Sequence, residues 1–193
     1  MIFTAKRRAP AMLTHRPFAH RCERLLESGA DLSVVACFDE GVTTPDESAR
    51  IVSASREIAA PAAEIFELIA DPSQQPRWDG NDNLSQAPSG QRVHAVGDIF
   101  IMTLTGGNVR DNHVVEFVEG HRIAWRPSEP GQPAPGHQWR WVLEPIDALR
   151  TRVTHTYDWT QLRDDKRIPR AQATTADKLR ASLDRLADLA EHL

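Results

Sequence analysis

The sequence predicts an α+β fold in which a curved antiparallel sheet wraps a long C-terminal helix, with two short helices following the first strand. Three observations carry this reading. Residues 51–58 alternate as a half-buried strand and pass directly into a helical stripe. Residues 96–159 hold successive strand-like runs separated by short turns. After Pro169 the apolar residues change to three- and four-residue steps.

The first unit is IVSASREIAAPAAEIFELIADPSQQPRWD, residues 51–79. Pro61 suits a first helical turn, where its missing N–H would have had no intrahelical partner. Ala62, Ile65, Phe66 and Ile69 then fall at i, i+3, i+4 and i+7, one apolar stripe for a sheet to cover. Asp71-Pro72 ends that helix, and Trp78-Asp79 closes the unit. Leu84 to Ala87 can form only a short strand, because turn-forming residues crowd it. Strands follow at Ile99 to Leu104, Val109 to Val118, Arg122 to Arg126, Gln138 to Glu144 and Thr151 to Trp159. Turns at Gly106-Gly107 and Glu119-Gly120 link the earlier ones, and a loop with four prolines, residues 127–136, precedes Gln138. Short links between consecutive strands predict an antiparallel meander. Ala176, Leu179, Leu183, Leu186, Ala190 and Leu193 form the stripe of a final helix of ~20 residues, ~30 Å long. Its cover must be the concave face of the meander.

Residues 1–48 differ in composition and are expected to be a flexible N-terminal extension, with residues 49–193 as the folded domain. Arginine, proline and histidine dominate the beginning, and Thr44 to Ser48 reads as a linker. The first 22 residues carry arginines and no acid, a composition shared with transit peptides, but no continuous apolar segment of a secretory signal. Cys22 and Cys37 are the only cysteines and both precede the domain, which fits a reducing, cytoplasmic location.

Composition narrows the function classes. A net charge of −4, with no basic block interleaved with aromatics, argues against nucleic acid as a partner. No apolar run reaches the ~20 residues of a membrane span. The eight histidines include no pair at i, i+2 or i, i+4, so neither a metal nor a cofactor is expected. The motifs G-x-S-x-G, H-E-x-x-H, C-x-x-C and the P-loop are absent.

Strand parity supplies candidate site residues, because alternate positions share a face. Phe100, Met102 and Leu104 are expected inward. Glu116 belongs outside, which places Asp111, His113, Val115 and Phe117 inside. Ile123 and Trp125 follow on the next strand. Gln138, Arg140 and Glu144 mark a wet face, leaving Trp139, Trp141 and Leu143 on the other. Arg152 and Asp158 likewise send Val153, His155, Tyr157 and Trp159 inward. Trp78 from the short helices and Leu179 and Leu183 from the last helix complete the set. Taken alone, this aromatic wall reads as core filler. Asp111, His113, His155 and Tyr157 on the same face are polar groups that require partners, and a mostly apolar pocket with a few convergent polar groups is the usual form of a small-molecule site.

The run of residues 51–79 with VGDIF (96–100), VVEFVEGHRIAWR (114–126), HQWRWVLEPI (137–146) and RTRVTHTYDW (150–159) resembles the START-like, or SRPBCC, superfamily and within it the polyketide cyclase/dehydrase-like family. The likeness spans about residues 50–193; the proline-rich loop looks long for the family, and the N-terminal arm has no counterpart. It implies the helix-grip fold, with a cavity between sheet and long helix for a lipid-like, aromatic or polyketide ligand. With no strong catalytic motif in the chain, a carrier or sequestering module is the favoured role. The alternative is a cyclase/dehydratase using His113 or His155 as base and Tyr157 as acid. A third reading is a protein-interaction module, with Ile99 and Ile101 facing outward.

Overall fold

The computed structural model describes residues 47–193, so the expectations for the N-terminal extension and its cysteines lie outside the described residues. Seven strands form one antiparallel sheet: β1 Ile51–Ile58, β2 Leu84–Gln86, β3 Ile99–Leu104, β4 Val109–Val118, β5 Arg122–Ser128, β6 Gln138–Asp147 and β7 Arg150–Asp158. Their order is β1-β7-β6-β5-β4-β3-β2. The meander from β2 to β7 is therefore joined by β1 at the edge next to β7, and the first two strands lie at opposite edges. The helices α1 (Ala62–Ala70) and α2 (Gln75–Trp78) make that crossing.

Two strands run further than their sequence suggests. β5 continues through Pro127 to Ser128, and β6 continues past Glu144 to Asp147 with a register shift between Pro145 and Asp147. Such shifts bend a strand and sharpen its twist, helping the sheet to wrap.

The final helix is shorter than its periodicity indicates. Ile168–Gln172 forms a separate turn, α3, and the long element is α4, Ala176–Ala190, 15 residues or about 22 Å. Thr175 stands between them in extended conformation (φ −104°, ψ 165°). β-Branched threonines at 174 and 175 favour that break over continuous helix.

The core lies between the sheet and helices α1 and α4. Ile58, Ile65, Phe66, Ile69, Trp141, Leu143, Val153, Leu183 and Leu186 are buried there together. Phe66 meets Phe117 edge to face at 5.8 Å. The corner between α1 and α2 is fixed by Trp78, whose Nε1–H donates to the Leu68 carbonyl at 2.7 Å. The loop after α2 lies flush on α4. Gly80 N–H donates to Ser182 Oγ, Asn81 Nδ2 donates to the Lys178 carbonyl, and a Cβ at Gly80 would sit 2.2 Å from the Ala181 carbonyl carbon. Arg185 adds a hydrogen bond to the Asp79 carbonyl and an ion pair with Asp82.

At the β2 edge, the Gln91 side chain accepts from Ile101 N–H at 2.8 Å and donates to the Ile101 carbonyl at 3.1 Å. α4 is fastened to β1 by the Arg56–Asp184 ion pair, and just past the ends of the two elements Ala59 N–H donates to the Glu191 carboxylate.

Candidate functional site

Antiparallel register between β6 and β7 sets Trp139 opposite Tyr157 and Trp141 opposite His155. Directly opposed residues on one face are within contact distance, so these four rings stand side by side. Trp141 and His155 stack with centroids 3.7 Å apart and planes within 10°. Trp139 lies 4.3 Å from Tyr157 and 5.5 Å from His155. Trp78 closes the row against Trp141 at 5.1 Å, and His137 extends it at the other end, 5.9 Å from Tyr157. The result is a continuous aromatic ladder from the α2 corner to the start of β6.

α4 does not fill the space above that ladder. A cavity of about 250 Å³ remains, walled by Trp78, Trp125, Trp139, Trp141 and Tyr157, with Met102, Leu104, Leu162 and Leu179 completing the apolar lining. His155 and Asn112 contribute polar groups to the wall, and Arg110, Arg167, Arg170 and Lys178 also border the space.

Three titratable groups of the wall, His155, His137 and Tyr157, are held in their neutral forms. Burial pushes the His155 imidazole down to about 3. Burial, assisted by the positive charges of Arg167, Arg170 and Arg110, pushes His137 down to about 4. The Tyr157 hydroxyl is pushed up to about 12 by burial, against an opposing pull from Arg170 and Arg167. Three enclosed nitrogens, Nδ1 of His137, Nδ1 of His155 and Nε1 of Trp141, have no hydrogen-bond partner among the described residues. Neither the Tyr157 hydroxyl nor His155 Nε2 is hydrogen-bonded to any described residue. Asn112 is buried, and its amide nitrogen donates to the carbonyls of Phe100 and Arg110. Among the described residues no group of histidine, cysteine or carboxylate side chains is arranged to hold a metal ion.

A seven-stranded sheet gripping a helix, with an aromatic cavity between them, can be set beside known proteins. Residues 49–191 match the family described as polyketide cyclase / dehydrase and lipid transport. The chain belongs to this family. An uncharacterized protein of Mycobacterium tuberculosis, Rv0088, is 35% identical to this family member over 121 residues, covering 61% of this chain and 51% of the relative. The chain thus spans about half the length of the curated relatives it matches. Among solved structures, protein MLL2253 from Mesorhizobium loti superposes with a TM-score of 0.56 at 18% identity, covering 74% of this chain and 98% of that one. A START superfamily protein from Mycobacterium smegmatis gives 0.53 at 16% identity, with 74% and 97% covered. These likenesses support the helix-grip fold for this polyketide cyclase/dehydrase and lipid-transport family member.

Within that fold, nine of the sequence-derived candidates border the cavity: Trp78, Met102, Leu104, Trp125, Trp139, Trp141, His155, Tyr157 and Leu179. Phe100, Phe117, Val153 and Leu183 point the same way but lie in the core beneath it. Phe100 supports Trp125 edge to face at 5.4 Å. Trp159 belongs to a separate cluster with Leu162, Ala171 and Leu179, and the Arg50 guanidinium lies 5.0 Å from its ring.

Asp111, His113 and Val115 are corrections. Val114 pairs with Trp125 while Glu116 pairs with Ala124, so Val115 is an extra residue in β4 and the alternation changes phase there. Glu116 does face outward, paired with Arg140 and Arg122, and Phe117 faces inward. Before the bulge the inward residues are instead Asn112 and Val114. His113 Nε2 bonds Ser128 Oγ at 3.0 Å, and Asp111 accepts from Gly131 N–H, both on the other face.

Asn112, Arg110, His137, Arg167 and Arg170 are cavity residues absent from the sequence-derived set. The parity that places Trp139 and Trp141 inward reaches His137 one step earlier.

Proposed function

We propose that this protein binds one small, largely planar hydrophobic molecule in the cavity between sheet and α4, and that it carries or sequesters that molecule. The observation that carries this reading is the aromatic ladder bordering space that α4 leaves open. A solid core would have closed over those rings, since interiors pack with few voids larger than a water. The size suits a compact ligand: an apolar cavity of about 150 Å³ takes a single benzene ring, so about 250 Å³ suits a body of roughly two rings. The family's description, which names lipid transport beside cyclase and dehydrase, is consistent with such a ligand.

Acid–base turnover by the same groups is the weaker reading, for a chemical reason. A general base works best with a pKa near the working pH, and His155 is held down to about 3 while Tyr157 is pushed up to about 12. His113, the other candidate base, bonds Ser128 on the far face of β4. Neutral His155 and Tyr157 are suited to orient a ligand through hydrogen bonds.

Calorimetric titration of the full chain with acetylnaphthalene, a neutral two-ring ketone, tests the reading. Saturable one-to-one binding that quenches or shifts tryptophan emission supports it. Absence of binding for this ketone and for other planar two-ring probes, with an unchanged emission spectrum, overturns it.

A further inference from the structure

The three unpaired cations beside the cavity say more about the ligand than its walls do. Arg110 comes from the start of β4, Arg170 from α3 and Lys178 from the first turn of α4, and all three border the same space. None of them is ion-paired among the described residues: the only hydrogen bond of the Arg110 guanidinium is to the carbonyl of its neighbour Val109. Arg167, the fourth cation there, is already engaged by Asp164 and Glu129. Among the described residues one carboxylate lines the cavity, that of Asp79, and it is buried and accepts the backbone N–H groups of Asn81, Asn83 and Leu84. The local balance is therefore positive in a chain whose net charge is −4. A cleft lined by one sign of charge beside low-dielectric walls concentrates ligands of the opposite sign.

We infer that the ligand is an amphipathic anion, its planar apolar body against the Trp139–Trp141 ladder and an acidic oxygen group, such as a carboxylate, between Arg110, Arg170 and Lys178. This rests on the binding role proposed above and gives it a ligand class. The arrangement separates the two parts of the ligand sensibly. The neutral groups His155, Tyr157 and Asn112 border the cavity wall, where an unpaired charge would be expensive. Arg170 and Lys178 are exposed and remain hydrated, so they can pair with an anion without first losing their own solvation. The positive charges are felt inside: Arg167 and Arg170 oppose the burial that raises Tyr157, and with Arg110 they help to keep His137 unprotonated.

The test compares naphthoate with acetylnaphthalene, which has nearly the same shape and no charge, by calorimetry on the full chain. Naphthoate is expected to bind about tenfold tighter at low ionic strength, the sum of two or three exposed pairings, and to lose that advantage as salt rises. Replacing Arg110, Arg170 and Lys178 together by glutamine should abolish the preference for naphthoate over acetylnaphthalene. Arg152→Gln, which removes a cation paired with Glu57 away from the cavity, should leave that preference unchanged. Equal affinity for the two probes, or a preference that survives both salt and the triple substitution, overturns the inference while leaving the binding role intact. Failure of both probes to bind overturns both. The salt dependence of the unaltered protein supplies the readout should the triple variant fold poorly.

Discussion

Trp141 and His155 lie face to face, 3.7 Å between ring centroids, directly opposite one another on β6 and β7. The indole stacks on one face of the imidazole, and the pair has two nitrogens, Trp141 Nε1 and His155 Nδ1, enclosed without partners among the described residues. Such a pair disfavours a charge, because an imidazolium there would lose its hydration and gain no acceptor.

Stability should therefore fall in mild acid. The unfolded chain protonates this imidazole near the ordinary ~6.5, whereas the folded chain does so only near 3. Between those values the unfolded state binds more protons, so the contribution is fully present above pH ~6.5 and is lost as pH falls toward 3. Urea unfolding should show His155→Phe weakening the pH dependence by up to about 1.4 kcal/mol per pH unit in that window. Parallel curves for the two proteins would contradict the assignment.

Trp78 holds a corner as well as a wall. Trp78→Phe keeps most of the apolar contact and strips the donor from the buried Leu68 carbonyl. A loss of about 2–4 kcal/mol in denaturant unfolding is expected, combining an unmet acceptor with lost volume. A loss below about 1 kcal/mol, no more than a surface change costs, would show that the hydrogen bond contributes little.

Gly80 is required for close approach, since its missing Cβ leaves room for the α4 backbone at Ala181. Gly80→Ala should cost about 1–3 kcal/mol or more by overpacking and should lower the melting temperature measured by circular dichroism. An unchanged melting temperature would mean that the loop can lift from α4 freely.

The β4 bulge separates two kinds of residue that look alike in the sequence. His113→Ala should leave acetylnaphthalene affinity unaltered, because His113 faces Ser128 away from the cavity. Trp139→Ala should weaken it by about tenfold or more, the equivalent of the ~1.5–3 kcal/mol of a large apolar contact. The reverse ranking in a titration would place the ligand elsewhere.

Parity succeeded where the strands are regular. On β6 and β7 the charged residues Arg140, Glu144 and Arg152 all lie on one face, so Trp139, Trp141, His155 and Tyr157, an odd number of residues away along their strands, fall on the other. On β4 Glu116 marks the outer face, but the alternation it sets does not carry across Val115, because nothing in a run of ordinary β-formers shows that two residues oppose one. Asn112 escapes parity for that reason. Arg167 and Arg170 were out of reach for a different reason: they stand on a loop and a five-residue helix whose position comes from tertiary packing, which periodicity does not encode. The boundaries of β1, α1, β3 and β4 were legible because Pro61, Asp71-Pro72, Gly106-Gly107 and Glu119-Gly120 punctuate the chain there.

The way the sheet ends at β2 bears on aggregation. A bare strand edge offers its unpaired N–H and C=O groups to any other chain. Here the edge strand is three residues long, its register slips between Leu84 and Gln86, and Ser85 and Gln86 are exposed and polar. Beyond it, where β3 would be open and carries exposed Ile99 and Ile101, the Gln91 amide occupies the backbone of Ile101 as another strand would. A second molecule finds few free groups to pair with on this side, so an apolar stretch of β3 can face solvent without recruiting copies of itself.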